Sequence, residues 1–138
     1  MSEEKDPNGL RPHDRGAKLD AGKPRPTLVF FGFPRALAAV TEVATAGAEK
    51  YTDDGWIHVL GGRARYTDAM LRHLLAEARG EAEDPASGSL HAAHVAWNAL
   101  ARLELMLRDE ENKGLLLREP PPPPPSPYPD PPSPHLAS

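Results

Sequence analysis

Leu90–Glu110 reads LHAAHVAWNALARLELMLRDE. Wound at 3.6 residues per turn, Val95, Trp97, Leu100, Leu103, Leu105, Met106 and Leu107 fall on nearly every side of one helix, which Ser89 is placed to cap. A helix that is apolar all round must be buried on several sides. Only two other long helical patterns exist to cover it, so the expectation is an all-α fold in which a second copy of the chain supplies the remaining cover.

The other patterns lie upstream. Arg63–Gly80 carries Met70, Leu71, Leu74, Leu75 and Ala78 on one side, and Glu81–Ser89, with Pro85 and Gly88, is the loop that joins it to the third helix. A first helix is predicted over Arg35–Tyr51, behind Pro34, with Leu37, Val40, Thr41, Ala44 and Ala48 as its face. Before it, residues 1–27 show no periodic apolar face and are punctuated by Pro7, Pro12, Pro24 and Pro26; they read as an arm, which the apolar patch Leu28–Phe33 could dock.

Proline separates the far end. The chain has 138 residues and 17 prolines, 11 of them within Pro120–Pro134. That composition forms neither helix nor sheet and reads as an extended polyproline II tail, disordered in the sense of lacking a packed core, with P-x-x-P spacings that could meet a docking groove. The organisation expected is an arm at 1–27, a helical domain at 28–118 and a proline-rich tail at 119–138.

A formal net charge of −4 argues against a duplex nucleic acid partner, which is normally met by a basic face. With no cysteine there is no disulfide framework, thiolate metal site or cysteine nucleophile. No apolar run reaches the roughly 20 residues that span a bilayer, and the opening residues lack an apolar signal core, so no membrane partner and a cytoplasmic location are expected.

The third helix opens with polar side chains foreign to its character. His91, His94 and Asn98 lie within about 60° of one another on the helix, and Arg102 extends the stripe. Polar groups on a buried helix need partners or a ligand. The second helix offers His73 and Glu77, four residues apart, followed by Glu81, Glu83 and Asp84. This is the densest collection of metal-ligand types in the chain, and it suits phosphoryl transfer. Mg²⁺ or Mn²⁺ held between two helices grips a triphosphate and activates water, and imidazole ligands favour Mn²⁺ or a later metal. The competing reading is structural: histidines of the core hydrogen-bonded to acids of the second helix.

In the arm, Gly16-Ala-Lys18-Leu-Asp20-Ala-Gly22-Lys23-Pro-Arg25 sets three cations and a carboxylate among glycines, a flexible loop that could fold over phosphates or simply remain a polar arm. It is not a P-loop, since the Gly-Lys-Ser/Thr signature is missing. Arg72 is a further phosphate candidate. Tyr51 and Trp56 follow the first helix, where an aromatic could stack on a base or serve packing.

Taken with Gly47-Ala-Glu-Lys-Tyr51, Arg65-Tyr-x-Asp68-Ala-x-x-Arg72-His73 and Gly80-Glu81-x-x-Asp84-x-x-Ser-Gly88-x-x-His91-x-x-His94, the arm motif makes the chain similar, from about Gly16 to Arg108, to a phage family of MazG-like dATP/dGTP diphosphohydrolases. The resemblance implies a MazG-like helical bundle, dimeric or tetrameric. It also implies metal-dependent cleavage of purine deoxynucleoside triphosphates between the α and β phosphates, giving the monophosphate and pyrophosphate, in the purine metabolism of phages that use 2-aminoadenine. MazG-type enzymes bind Mg²⁺ or Mn²⁺ with E-x-x-E on one helix and E-x-x-D on the next. Here His73 and Glu77, then His91 and His94, stand in those places, and two repairs are open. Either Glu81 and Asp84 supply the missing carboxylates, or Glu42 and Glu49 take the E-x-x-E part with Asp68 as the later Asp. The first is preferred, because Trp56 then precedes the metal helix, where such enzymes place a base-contacting aromatic.

The resulting assignment names Glu77, His91 and His94 as catalytic. His73, Glu77, Glu81, Asp84, His91 and His94 form the metal-ligand pool, and Lys18, Asp20, Lys23, Arg25, Trp56, Arg72 and Asn98 form the substrate-binding set. The alternative is a non-catalytic helical oligomer that binds a nucleotide, or a protein partner through its proline tail.

Overall fold

A computed structural model describes residues 4–116, with side-chain surroundings to Lys113. The proline-rich tail expected at 119–138 lies outside the described residues. The order of elements is α1 (Thr27–Phe30), α2 (Pro34–Lys50), a 3-10 turn (Gly55–His58), α3 (Gly62–Ala78) and α4 (His91–Leu116). The fold is all-α, and its one β feature among the described residues is an isolated bridge between Glu83 and Leu90.

Each boundary has a local cause. Pro34 occupies the first turn of α2, where its missing N–H costs nothing. The chain leaves α3 through Gly80 at φ +95°, which lets Glu81 N–H donate back to Ala76 C=O at 3.0 Å and close the last turn. In the α3–α4 loop, Asp84 N–H donates to Ser89 C=O at 2.8 Å and Gly88 N–H to Asp84 C=O at 2.7 Å, with Gly88 at φ +74°. This tight reversal delivers the first turn of α4 beside the end of α3.

Three expectations needed correction. Helix α4 runs to Leu116, six residues past the predicted end, because Glu111 and Lys113 sustain a helix as well as apolar residues do. Ser89 spends its carbonyl on Asp84, and the residue before α4 is Leu90. The Leu28–Phe33 patch begins with the short helix α1 and, among the described residues, leaves Phe30 and Phe31 62% and 80% exposed, so it does not dock the arm as expected.

Helices α3 and α4 pair antiparallel over a seam in which buried Ala76, Ala93 and Ala101 and the Tyr66–Trp97 contact at 5.5 Å are interspersed with polar groups. Arg102 Nε donates to Thr67 Oγ1 at 2.6 Å, and His73 meets His91 and His94. A Cβ added at Gly62 would stand 3.1 Å from Leu105 Cδ1, so glycine admits the close approach of the two helices. Most of the other leucines face the opposite way. Leu71, Leu74 and Leu75 of α3 and Leu100, Leu103, Met106 and Leu107 of α4 keep 40–59% of their surface exposed. The buried apolar residues are Val43, Ala76, Ala93 and Ala101, and no large side chain is fully enclosed among the described residues. One chain therefore forms a hairpin with a leucine-rich face outward, braced on one side by α2.

Candidate functional site

The α3–α4 loop end gathers three imidazoles. His91, 3% exposed on the first turn of α4, has Nε2 2.7 Å from Glu81 Oε1 and Nδ1 2.8 Å from His73 Nδ1. One turn on, His94 Nε2 lies 2.7 Å from Ser87 Oγ and 3.5 Å from Asp84 Oδ2, and the Ser87 hydroxyl donates to Asp84 Oδ2 at 3.0 Å. The His73 and His94 rings stack 4.3 Å apart, 4° from parallel. The sequence pattern predicts this meeting because His91 and His94 share a helical stripe that faces α3, and a short loop sets the heights of the two helices.

Charge is managed within the group. Burial, then the neighbouring imidazoles of His94 and His91, holds His73 below the ordinary imidazole value. Burial also lowers His94, against the pull of Asp84. For Asp84, burial pushes upward, but hydrogen bonds from Ser87 Oγ and Ala86 N–H together with the adjacent imidazoles outweigh it and leave the carboxyl below its usual range.

Several predicted residues stand apart. Glu77 is exposed and joins none of the hydrogen bonds of the cluster among the described residues. Arg72 is exposed on the flank of α3, one residue from His73. Buried Asn98 donates its amide to the carbonyl of His94 at 2.8 Å, so it braces the stripe from within. Trp56 packs edge-on against Tyr66 and Trp97, with ring centroids 6.4 and 5.9 Å away, and its carbonyl accepts the Tyr66 hydroxyl at 3.0 Å. In this chain Trp56 pins the 3-10 turn to the two long helices. Lys18, Asp20, Lys23 and Arg25 are exposed in an arm whose backbone hydrogen bonds are all local; Asp20, Lys23 and Arg25 border an open hollow of about 380 Å³ with Pro7. Glu42, Glu49 and Asp68, the alternative acid set, are each exposed as well.

Ser87 is the residue that sequence reasoning passed over. Its signal was the Asp84-Pro-Ala-Ser87-Gly88 turn, in which a hydroxyl three residues after an Asp can bond that carboxylate.

Three imidazoles, two carboxylates and a hydroxyl make a nitrogen-rich donor set, chemically suited to Mn²⁺ or a later divalent ion before Mg²⁺. As arranged, the facing nitrogens are engaged with one another, and among the described residues no three His, Asp or Glu side chains converge on a common point.

Fold and site define an all-α protein with an imidazole–carboxylate centre between two antiparallel helices. Residues 13–114 match the family model described as dATP/dGTP diphosphohydrolase, N-terminal, and the chain belongs to that family. The match spans α1 to α4 and the whole cluster and makes the protein a hydrolase of nucleoside triphosphates. No curated protein and no solved structure matches the chain. No described helix is long and apolar enough to cross a membrane.

Proposed function

We propose that the chain is a metal-dependent pyrophosphohydrolase that cleaves dGTP and dATP between the α and β phosphates, giving the deoxynucleoside monophosphate and pyrophosphate, in phage purine metabolism. The observation that carries this reading is the joining of His73, His91, His94, Glu81 and Asp84 at one end of the α3–α4 pair, inside the segment that defines the family.

The residues nearest a bound Mn²⁺ or Mg²⁺ would come from His73, His94, Glu81 and Asp84; such an ion neutralises phosphate charge and lowers the pKa of bound water. His91, bonded through both ring nitrogens, couples Glu81 to His73 and holds that imidazole in place. Arg72 and the arm cations Lys18, Lys23 and Arg25 supply positive charge for a triphosphate, a role that needs the arm to fold toward α3. Glu77 stays in the pool as an exposed carboxylate one turn from His73. The outward leucines of α3 and α4 support a homo-oligomer, since apolar surface on that scale is ordinarily covered.

Incubating purified protein with dGTP or dATP and Mn²⁺ and resolving the products by phosphorus NMR tests the reaction. Monophosphate with pyrophosphate is expected; orthophosphate or tripolyphosphate would contradict the cleavage position.

A non-catalytic oligomer is the second reading, favoured by the engagement of the imidazoles with one another. Calorimetry separates the two: on the catalytic reading His91→Ala weakens Mn²⁺-dependent nucleotide binding, whereas a purely structural cluster leaves it unchanged.

A further inference from the structure

Every lysine and arginine whose side-chain surroundings are described is exposed, except Arg102. It is half-buried on α4 and turned to α3, where its Nε donates to Thr67 Oγ1 at 2.6 Å. The Thr67 hydroxyl gives its own proton to the Arg63 carbonyl at 2.6 Å, so its oxygen is left to accept, and this contact ties down the guanidinium. A cation drawn into a helix seam normally has a carboxylate beside it, because burying charge without a partner is costly. Arg102 makes no ion pair among the described residues, and the nearby acids of its own helix pair elsewhere, Glu104 with Arg108 at 2.9 Å and Asp109 with Arg63 at 3.5 Å. Asp68, next to Thr67, is exposed and likewise in no ion pair among those residues. The two outer guanidinium nitrogens bond no described atom, and solvent reaches them, since no described side-chain nitrogen or oxygen is both sealed and without a partner.

We propose that Arg102 is a phosphate-binding residue that takes the terminal phosphates of the nucleoside triphosphate through its two outer nitrogens while Thr67 holds its Nε. His94, Asn98 and Arg102 stand four residues apart along one side of α4. At 1.5 Å of rise per residue, Arg102 lies about 12 Å along the helix from His94, a separation that an extended triphosphate and a long side chain span together. A purine carries no charge to balance a cation, whereas phosphate does, and the planar fork of a guanidinium matches two phosphate oxygens. Thr67 has already oriented that fork, so little ordering is left for binding to do. The role rests on the reading that the triphosphate is cleaved at the imidazole end of the seam: that end takes the scissile link, and Arg102 the phosphates beyond it. The arm cations must first fold toward α3, whereas Arg102 is in the seam already.

The test is calorimetry on the full-length protein with Mn²⁺ present, titrated with inorganic tripolyphosphate and, separately, with dGMP. Arg102→Ala should bind tripolyphosphate about 10- to 100-fold more weakly, the scale of lost hydrogen bonds to a charged group, with dGMP affinity unchanged. Arg102→Lys, which keeps the charge without the fork, should recover part of the loss. If Arg102→Ala does not fold by circular dichroism, Arg102→Gln, which keeps an N–H for Thr67, carries the same expectation. A wild-type protein that takes up no tripolyphosphate would overturn the proposal, as would an equal loss of dGMP affinity. So would a folded Arg102 variant with lowered melting temperature and wild-type tripolyphosphate affinity, the signature of a guanidinium that only braces the helices. Binding is read without turnover, so inertness toward dGTP would refute the enzymatic reading, while unchanged tripolyphosphate affinity in the variants would refute the role of Arg102.

Discussion

His73 and His94 carry an acid sensitivity that can be worked out in sign. Unfolded, each titrates near 6.5; folded, burial holds both lower. Between the two values the unfolded chain binds more protons, so the stability these groups contribute is complete above about pH 6.5 and falls as pH drops toward the folded values. Asp84 is lowered from 3.8, so its contribution is present above that pH and is lost in a separate, more acidic window. Melting temperature measured from pH 7.5 to 3 should therefore decline in two stages, and His94→Gln should flatten the upper one; an unchanged upper stage would show that these imidazoles do not set it. Tyr66→Phe is the second prediction at this scale. It removes the hydroxyl that donates to Trp56 C=O and should cost about 0.5–1.5 kcal/mol in denaturant unfolding.

At the scale of elements, the α3–α4 pair explains what was legible beforehand. The His91–His94–Asn98–Arg102 stripe could be read because helical spacing fixes which residues share a face, and a short loop leaves one way for α4 to fold back. The role of Ser87 was not legible, because a loop side chain finds its partner only after the chain has reversed. Trp56 read as base-facing from its position in a connection, whereas the facing aromatics Tyr66 and Trp97, on separate helices, claim it for packing. The length of α4 was underestimated because apolar periodicity stops at Met106 and Leu107 while helix propensity continues through charged residues. The outward leucine face gives the prediction proper to this scale. Leu103, 53% exposed, lies between Leu100 and Leu107 on the face turned away from α3. Leu103→Lys should shift the particle toward a single chain in light scattering, while a mass equal to wild type would place the contact elsewhere.

For the molecule as a whole, a titratable cluster lies in the seam between the two long helices while a leucine face of the same helices stays exposed. The seam keeps titratable groups together beside the α3–α4 loop, and the exposed leucine face is the surface on which the proposed homo-oligomer would form. Deletion of residues 120–138, which lie beyond the family match at 13–114, should leave turnover unchanged; a large loss would give them a part in the site. The central claim, that the imidazole cluster is where the triphosphate is cleaved, is tested most directly by kcat for dGTP with Mn²⁺ in His73→Ala beside wild type, with helicity checked by circular dichroism. The account predicts a loss of about 100-fold or more at unchanged helical content, the scale expected when a positioned imidazole is removed. Turnover within twofold of wild type would contradict it.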